Sequence, residues 1–314
     1  MKASRPLAMT LALVAASAGH ALASEVVLNE WSAVSAGKYI EGRDSRLGRV
    51  QGNGGNWIEL VVVADHTDMR GWQLQWAELG GGDRTDGVDY WAGSGQINQG
   101  TVTFSQDALW SDLRAGTIIT IAEQYSIRDG GGLVVTSGSD TSYDPAAGDW
   151  WIHVCTFANS NMTLPNTQLA TAATNIASDR PGSFKVGKAD WVMRIIDNNG
   201  AEIHATTGEG APSWKGAGIS NEEGGALLGP GAGATAETWM AIGASSSLYD
   251  ETIGTSFSEP NVSFSTVTGR FTTLQDFTDL RRIGSQGGAA TPPRIFGIAR
   301  EGDDLVLQWA SAPG

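Results

Sequence analysis

The stretch NWIELVVVADHTDMRGWQLQW, Asn56–Trp76, decides the fold that this sequence predicts. In its first half, every second residue of 58–62 is aliphatic, and after a polar turn Trp72, Leu74 and Trp76 share one face of a second strand. Strands with one strongly apolar face and one mixed face are typical of two packed sheets whose outer faces meet water. We therefore expect these three side chains inside the core of a β-sandwich.

Short strand candidates separated by turn residues continue along the rest of the chain. The 42 glycines and 12 tryptophans among 314 residues favour an all-β protein with long glycine-rich loops, at 37–56, 78–96 and 216–237. Long helical periodicity is missing, and the best helix candidate is FTTLQDFTDLRR at 271–282. The clearest hairpin turn is Asn199-Gly200. The strand candidates are SEVVLNEWSAV (24–34), NWIELVVVA (56–64), GWQLQWAE (71–78), GTVTFSQ (100–106), GTIITIAEQ (116–124), DWWIHVCTF (149–157), ADWVMRII (189–196), AEIHATT (201–207) and TWMAIG (238–243).

The first 23 residues have the three parts of a secretory signal peptide. Lys2 and Arg5 precede an apolar run at 7–18, and Ala21–Ala23 forms an A-x-A cleavage site before Ser24. The run is too short for a permanent membrane anchor, and no later run is long enough to span a bilayer. We therefore expect a secreted mature chain, in the periplasm, on the cell surface or outside the cell, without a membrane span.

The mature chain is strongly acidic. Removing Lys2 and Arg5 with the signal peptide lowers the 20 basic residues to 18, against 34 acidic ones. Such a charge repels phosphate backbones, so nucleic acid is excluded as a direct partner. The expected partner is a protein or a polysaccharide of unknown identity.

The residues that commonly carry chemistry do not form a recognisable set. Cys155 is the single cysteine, so no disulfide can form within the chain, and we interpret it as a small buried side chain on a strand. His66, His153 and His204 lack the spacing of metal ligands. No G-x-S-x-G, phosphate loop or dinucleotide fingerprint is present. We predict no catalytic residues and no enzyme activity.

Six strand motifs, read in order, resemble the lamin-tail domain, an immunoglobulin-like β-sandwich found in nuclear lamins and in many secreted bacterial proteins. The chain is longer than the usual family domain, which indicates an elaborated version. The resemblance implies a non-catalytic module for binding or attachment in surface or extracellular assembly. The motifs are VVLNEW (26–31), NWIELVV (56–62), GWQLQ (71–75), LRAGTIITIAE (113–123), ADWVMRIIDNNGAEIH (189–204) and SFSEPN (256–261).

Glu30 and Glu59, which lie in two of these motifs, have two alternative interpretations. Asn29 and Glu30 are expected to hydrogen-bond loop backbone at one end of the sandwich. Glu30 and Glu59 can also be interpreted as a paired-carboxylate site, but nothing in the sequence places them at a useful separation. We favour the structural role.

Two further loops carry candidate binding residues. Asp83, Asp86 and Asp89 surround Gly87 in GGDRTDGVDY and have the oxygen ligands that calcium prefers, although their spacing is not that of an EF-hand. A solvated acidic loop is the favoured interpretation, and no other cofactor is expected. Aromatic side chains in YDPAAGDWW are candidates for stacking on a sugar ring, against the alternative of core packing. These are Tyr143, Trp150 and Trp151.

The sequence predicts four segments. A signal peptide at 1–23 is followed by the sandwich domain at 24–283, a linker at 284–293 and a strand pair at 294–314 that resembles the start of a fibronectin type III module. Because such a module needs about seven strands, we expect the natural chain to continue. The alternative function is therefore the accessory region of a secreted hydrolase whose catalytic domain lies beyond Gly314.

Overall fold

The structure is a computed structural model, and most of the predicted sandwich domain lies within its described residues. The signal peptide, the three aspartates of the acidic loop and most of the predicted linker lie outside them. The structure describes residues 24–32, 39, 43–51, 57–79, 90–91, 97–122, 126–129, 132–135, 141–156, 169–175, 191–207, 224–243, 248–250, 254–285, 294–301 and 304–310.

Two large sheets form the frame, which is the all-β sandwich architecture that the sequence predicts. The first has six strands in the order β14-β13-β1-β3-β6-β9, all antiparallel except the parallel pair of β6 and β9. Its strands are β1 (Val26–Ser32), β3 (Trp57–Val62), β6 (Ile118–Ala122), β9 (Trp151–Cys155), β13 (Gly224–Leu227) and β14 (Tyr249–Asp250).

The second large sheet is antiparallel throughout and has the order β10-β5-β4-β11-β12. Strand β4 lies between β5 and β11 and is hydrogen-bonded to both of them. Its strands are β4 (Gln73–Leu79), β5 (Ile97–Phe104), β10 (Ala170–Thr174), β11 (Trp191–Ile196) and β12 (Glu202–Thr207).

Smaller elements surround this frame. Three short sheets are formed by β2 (Val50–Gln51) with β7 (Ser126–Asp129) and β8 (Gly132–Val135), by β15 (Val262–Ser265) with β16 (Arg270–Thr273), and by β17 (Arg294–Glu301) with β18 (Asp304–Ala310). The helices are α1 (Ala236–Met240) and α2 (Thr278–Ser285), with 3-10 turns at Ala108–Trp110 and Pro145–Ala147. Among the described residues, no helix is both long and apolar enough to cross a membrane.

The core lies between the two large sheets and contains the side chains that the opening stretch predicts there. Trp72, Leu74 and Trp76 are all buried in it, so the predicted strand phase is confirmed. Trp31 of the first sheet and Trp191 of the second are fully buried and meet edge to face, with ring centroids 5.5 Å apart. This aromatic pair joins the two sheets.

The outer face of β3 differs from the expectation, because it does not meet water. Trp57 and Glu59 point to this face, and both are fully buried. Phe257, from a segment that the chain reaches about 200 residues later, packs its ring 5.2 Å from that of Trp57. Val50 completes the same apolar cluster. A second layer of loop structure therefore covers the first sheet.

Eight of the nine strand candidates contain strands, and the ninth is wrong. The segment TWMAIG lies in and after helix α1, where the Thr235 hydroxyl caps the helix by accepting from the Thr238 amide. A four-residue apolar run cannot distinguish a short buried helix from a strand. The helix candidate at 271–282 is only half helical, since β16 occupies its start and α2 begins at Thr278.

The predicted hairpin turn joins β11 to β12. Gly200 adopts a left-handed φ of 84°, and the Asp197 carboxylate accepts from the backbone amides of Asn199 and Ala201. Of the two turn residues singled out in the sequence, only the glycine uses a positive φ. The turn is thus confirmed, and its aspartate contributes a second stabilising element.

Gly100 provides a test of the packing in the second sheet. It lies directly opposite Trp76 on the neighbouring strand, and a Cβ atom at this position would lie 2.2 Å from indole atoms of that ring. We expect Gly100→Ala to lower the free energy of unfolding by about 1–3 kcal/mol, because the buried ring must shift. Gly243→Ala is the matched control, since a Cβ there meets nothing within 4 Å. Equal urea midpoints for the two variants would contradict the close contact.

Candidate functional site

The acidic-loop candidates for calcium, Asp83, Asp86 and Asp89, lie outside the described residues. Within the described part of the chain, no group of three or more histidine, cysteine, aspartate or glutamate side chains is arranged to hold a metal ion. The calcium hypothesis therefore stays a prediction for that loop.

The three aromatic candidates are half-buried and contact different partners. The Tyr143 hydroxyl lies 2.9 Å from the Arg114 amide and 3.0 Å from the Thr117 hydroxyl, and burial raises the pKa of Tyr143. Trp150 lies beneath the Arg281 guanidinium, 5.5 Å from the ring centroid. These two side chains are used to hold neighbouring segments together.

Trp151, the third candidate, points to the outer face of the first sheet. Its indole Nε1 donates to the Thr120 hydroxyl at 2.9 Å, and the Arg46 guanidinium lies 4.9 Å from its ring centroid. Its ring also packs against that of Phe257, at 5.8 Å. The three aromatic residues are therefore not assembled into a common stacking platform by these contacts.

A row of polar side chains crosses the outer face of the first sheet. Glu30 lies opposite Glu59, Glu59 lies opposite Thr120, and Thr120 lies opposite His153. The four residues belong to four adjacent strands, β1, β3, β6 and β9, and none of them is exposed. This polar row places two carboxyl groups, a hydroxyl and an imidazole on neighbouring strands, and the sequence did not predict it as a unit.

A β-bulge in β1 creates the pairing of the two glutamates. Leu28 lies opposite Leu60, but the register shifts by one residue at Asn29, so that Glu30 comes to lie opposite Glu59. The extra residue also directs Asn29 to the same face as Glu30. Its Nδ2 donates to Glu59 Oε1 at 2.9 Å.

Each glutamate of the pair binds backbone in the segment 254–261. Glu30 Oε2 accepts from the Ser256 amide at 2.8 Å and from the Ser256 hydroxyl at 3.0 Å. Glu59 Oε2 accepts from the Ser258 amide at 2.8 Å. The expectation that Glu30 binds loop backbone is confirmed. The same expectation is wrong for the side chain of Asn29, which binds the side chains of Glu59 and Asn261.

A third carboxylate, Asp44, approaches from the loop that covers this face. Its Oδ2 accepts from the Thr255 hydroxyl at 2.7 Å and from the Phe257 amide at 2.9 Å, while its Oδ1 accepts from the amides of Arg46 and Leu47. Four donors on one carboxylate fix both the loop and the covering segment.

Asn261 and Gln275 complete the polar cluster. The Asn261 Nδ2 donates to the Asn29 carbonyl at 2.9 Å and to the Leu227 carbonyl at 3.1 Å, and its Oδ1 accepts from Asn29 Nδ2. Gln275 accepts from the Asn261 amide and donates to Asn29 Oδ1 at 2.7 Å. Because buried amides are costly when unsatisfied, these reciprocal bonds define one arrangement of the segment.

The electrostatics favour a protonated carboxyl at this site. Burial, reinforced by the neighbouring charges of Glu59 and Asp44, holds the pKa of Glu30 well above its usual range. Burial also raises the pKa of Glu59 to about 8, against hydrogen bonds from Asn29 and Ser258 that lower it. Glu59 accepts on both oxygens, whereas Glu30 Oε1 has no hydrogen-bond partner among the described residues. We infer that Glu30 carries the proton.

These shifts give the free energy of unfolding a defined pH dependence. The raised pKa of Glu59 stabilises the fold below about pH 4.3, and this contribution is lost as the pH rises through about 8. Burial lowers the pKa of His204 to about 4, so its contribution has the opposite sign and grows between about pH 4 and pH 6.5. Glu30 adds a decline of the same sign as that of Glu59, so the two glutamates outweigh His204. We therefore expect the free energy of unfolding to decrease from about pH 4.5 upward, with a fall of about 2 kcal/mol between pH 6.5 and pH 8 from Glu59 alone.

Denaturant titrations between pH 5 and pH 9 measure this dependence. The Glu30→Gln variant mimics the neutral carboxyl and should flatten the decline above pH 6.5, because one of the two buried acids is removed. Asp276→Asn is the control. Hydrogen bonds from Thr278 lower the pKa of Asp276, so this carboxyl does not titrate between pH 5 and pH 9. Equal slopes for wild type and Glu30→Gln would show that Glu30 does not carry the proton.

At the far end of the polar row, Thr120 and His153 have the contact distance of a nucleophile and a base. The Thr120 hydroxyl lies 2.8 Å from His153 Nδ1. However, the Phe257 ring packs 5.6 Å from the imidazole, and Trp151 covers the hydroxyl with its own hydrogen bond. Both residues are fully buried, so no substrate reaches them in this arrangement.

A second polar cluster lies near the surface, around His66. Its Nδ1 lies 2.6 Å from Asp112 Oδ1, and its Nε2 lies 3.4 Å from Asp65 Oδ2. Burial alone would raise the pKa of Asp65, but hydrogen bonds from Arg114 and Ala115 lower it. The bidentate ion pair of Arg114 with Asp65 and these histidine contacts hold two adjacent turns together.

The single cysteine, Cys155, is buried on β9, in agreement with a structural role.

The polar row and its neighbours therefore act on the protein itself, by binding the segment that covers them. A comparison of the chain with protein-family models, curated proteins and solved structures finds no match.

Proposed function

We propose that this protein is exported and serves as a non-catalytic binding or structural module in surface or extracellular assembly. The observation that carries the proposal is the use of Glu30, Glu59 and Asp44, all buried, to bind the backbone of 254–261. A catalytic carboxylate must reach a substrate, whereas these three carboxylates stabilise a fold. The same distinction applies to the buried pair of Thr120 and His153.

The proposal includes an immunoglobulin-like fold of the lamin-tail type. Its support is the meeting of three separate motifs of that resemblance at one place. Glu30 of VVLNEW and Glu59 of NWIELVV both bind SFSEPN, the proposed closing segment. Because buried hydrogen bonds join these three motifs, we interpret them as parts of one lamin-tail-like domain.

The expected partner is a protein or a polysaccharide, and the charge supports this choice. A chain with 34 acidic and 20 basic residues does not attract nucleic acid or anionic lipid. Export is supported by the order of basic, apolar and small residues at 1–23.

Activity and binding measurements on purified 24–314 test the proposal. We expect no turnover in esterase, phosphatase, nuclease and glycosidase screens, and retention on an insoluble cell-wall polysaccharide or a purified surface protein. The Asn261→Ala variant serves for comparison, because it loses the three side-chain hydrogen bonds of Asn261 but keeps those of Glu30, Glu59 and Asp44 to the covering segment. Turnover that survives repurification and disappears in a single point variant would contradict the non-catalytic assignment.

A further inference from the structure

Ser24, the first residue after the predicted cleavage site, is held by three carbonyl groups. Its backbone N–H donates to the Met240 carbonyl at 2.9 Å, at the end of helix α1. Its hydroxyl lies 3.1 Å from both the Ile203 carbonyl of β12 and the Ile242 carbonyl. The elements that hold Ser24 lie about 180–220 residues away in sequence. The cleavage point predicted from the sequence therefore coincides with a residue that the fold uses.

We propose that signal-peptide cleavage between Ala23 and Ser24 creates an ammonium group that binds the Met240 carbonyl and completes the fold. In that reaction, catalysed by a signal peptidase, water adds across the Ala23–Ser24 amide. Ala23 leaves with a carboxylate, and Ser24 keeps the nitrogen as an α-ammonium. The nitrogen that donates to Met240 thus changes from a neutral amide to a cation, and charge-assisted hydrogen bonds are stronger than neutral ones.

Three acidic residues lie next to Ser24 in the sequence or on the elements that hold it. Glu25 follows Ser24 directly, Glu202 precedes Ile203 on β12, and Glu237 lies on α1. Among the ion pairs of the described residues, Glu202 pairs with Arg194 at 3.7 Å. His204 also lies on β12, but its pKa of about 4 leaves it neutral at pH 7.

This inference rests on the proposed export, because only a processed chain carries an amino group at Ser24. It also adds a function to the processing step. The precursor has an amide where the mature chain has a charged ligand for its own backbone, so removal of the signal peptide strengthens the native state at the moment of release.

The test compares chains that differ only at this terminus. The mature form, 24–314, is produced by cleaving an N-terminal fusion so that Ser24 is the first residue, and the control, 22–314, retains Leu22 and Ala23. The third chain, Ser24→Ala in 24–314, keeps the amino group and loses the hydroxyl. Acetic anhydride is the probe, and mass spectrometry measures the acetylation of the amino group in folded and urea-unfolded protein.

We expect the Ser24 amino group to react about tenfold more slowly in the folded mature chain than in the unfolded one, because Ser24 is buried and its nitrogen donates to the Met240 carbonyl. The mature chain should also melt at a higher temperature than 22–314 near pH 6. That difference should disappear above about pH 10, because an α-amino group is neutral there and donates no more strongly than an amide. The Ser24→Ala chain should retain the pH dependence at a lower melting temperature.

Equal acetylation rates in the folded and unfolded mature chain would overturn the proposal, and so would a melting difference that persists at high pH. N-terminal sequencing of the precursor expressed in an exporting bacterium separates this outcome from failure of the export hypothesis. An unprocessed precursor contradicts export alone, whereas the acetylation result on 24–314 decides the docking of the amino group.

Discussion

Replacing Trp191 by alanine is expected to lower the free energy of unfolding by about 3–5 kcal/mol. The indole is fully buried between the two large sheets, and its edge-to-face contact with Trp31 lies at a centroid distance of 5.5 Å. The variant loses the transfer free energy of the largest side chain and leaves a cavity that the facing sheet cannot fill. Urea unfolding followed by circular dichroism measures the change.

A double-mutant cycle at Trp31 and Trp191 separates the energy of their ring contact from the energy of burying each ring. We expect Trp31→Ala to cost a similar amount, and the pair to show a coupling energy of about 0.5–1.5 kcal/mol because each ring loses its aromatic partner. Phe271→Ala is the control on a peripheral sheet, since this ring is 39% exposed and should contribute less than either tryptophan. Additive effects at Trp31 and Trp191 would contradict a direct aromatic contact between the sheets.

Asn261→Ala is expected to cost about 2–4 kcal/mol, because it leaves buried polar groups without partners. The side chain provides two donors, to the carbonyls of Asn29 and Leu227, and one acceptor, for Asn29 Nδ2. Its backbone bond to Gln275 remains, so the segment should loosen without losing every anchor.

Two controls make this result specific. Asn261→Asp keeps the shape, loses the two donors and adds a fourth carboxyl beside the buried acids, so we expect it to be destabilised more at pH 8 than at pH 5. Asn199→Ala removes an exposed asparagine of the hairpin turn and should change stability by less than about 0.5 kcal/mol. If Asn261→Ala matched Asn199→Ala in urea midpoint, the buried amide cluster would contribute nothing to stability.

The strands were predictable because their apolar residues alternate over at least five positions. The period of two in 57–62 and 73–79 fixes which residues face the core, and tryptophans at 72 and 76 follow it. The short helix α1 was not predictable in this way, since its apolar residues cover barely one turn. Its Thr235 cap was the one local signal that distinguishes it from a strand.

The polar row could not be derived from the sequence for two physical reasons. A bulge at Asn29 changes the phase of β1, and alternation patterns do not reveal where a bulge lies. In addition, the donors that hold Glu30 and Glu59 come from Ser256 and Ser258, which only the tertiary fold brings near. The sequence did identify Glu30 as a residue that binds loop backbone, because the resemblance carried that role.

The bonds between Asn29 and Asn261 join residues that are 232 positions apart, and this separation sets the order in which the chain can fold. A chain that is synthesised from its N-terminus presents Glu30 and Glu59 long before their partners arrive. The entropy lost in closing so long a loop opposes folding before the long-range contacts can stabilise the chain. Such topologies therefore fold slowly. We therefore expect the acidic face of the first sheet to stay hydrated until residues 254–261 have been synthesised, and its native packing to form in a late folding step.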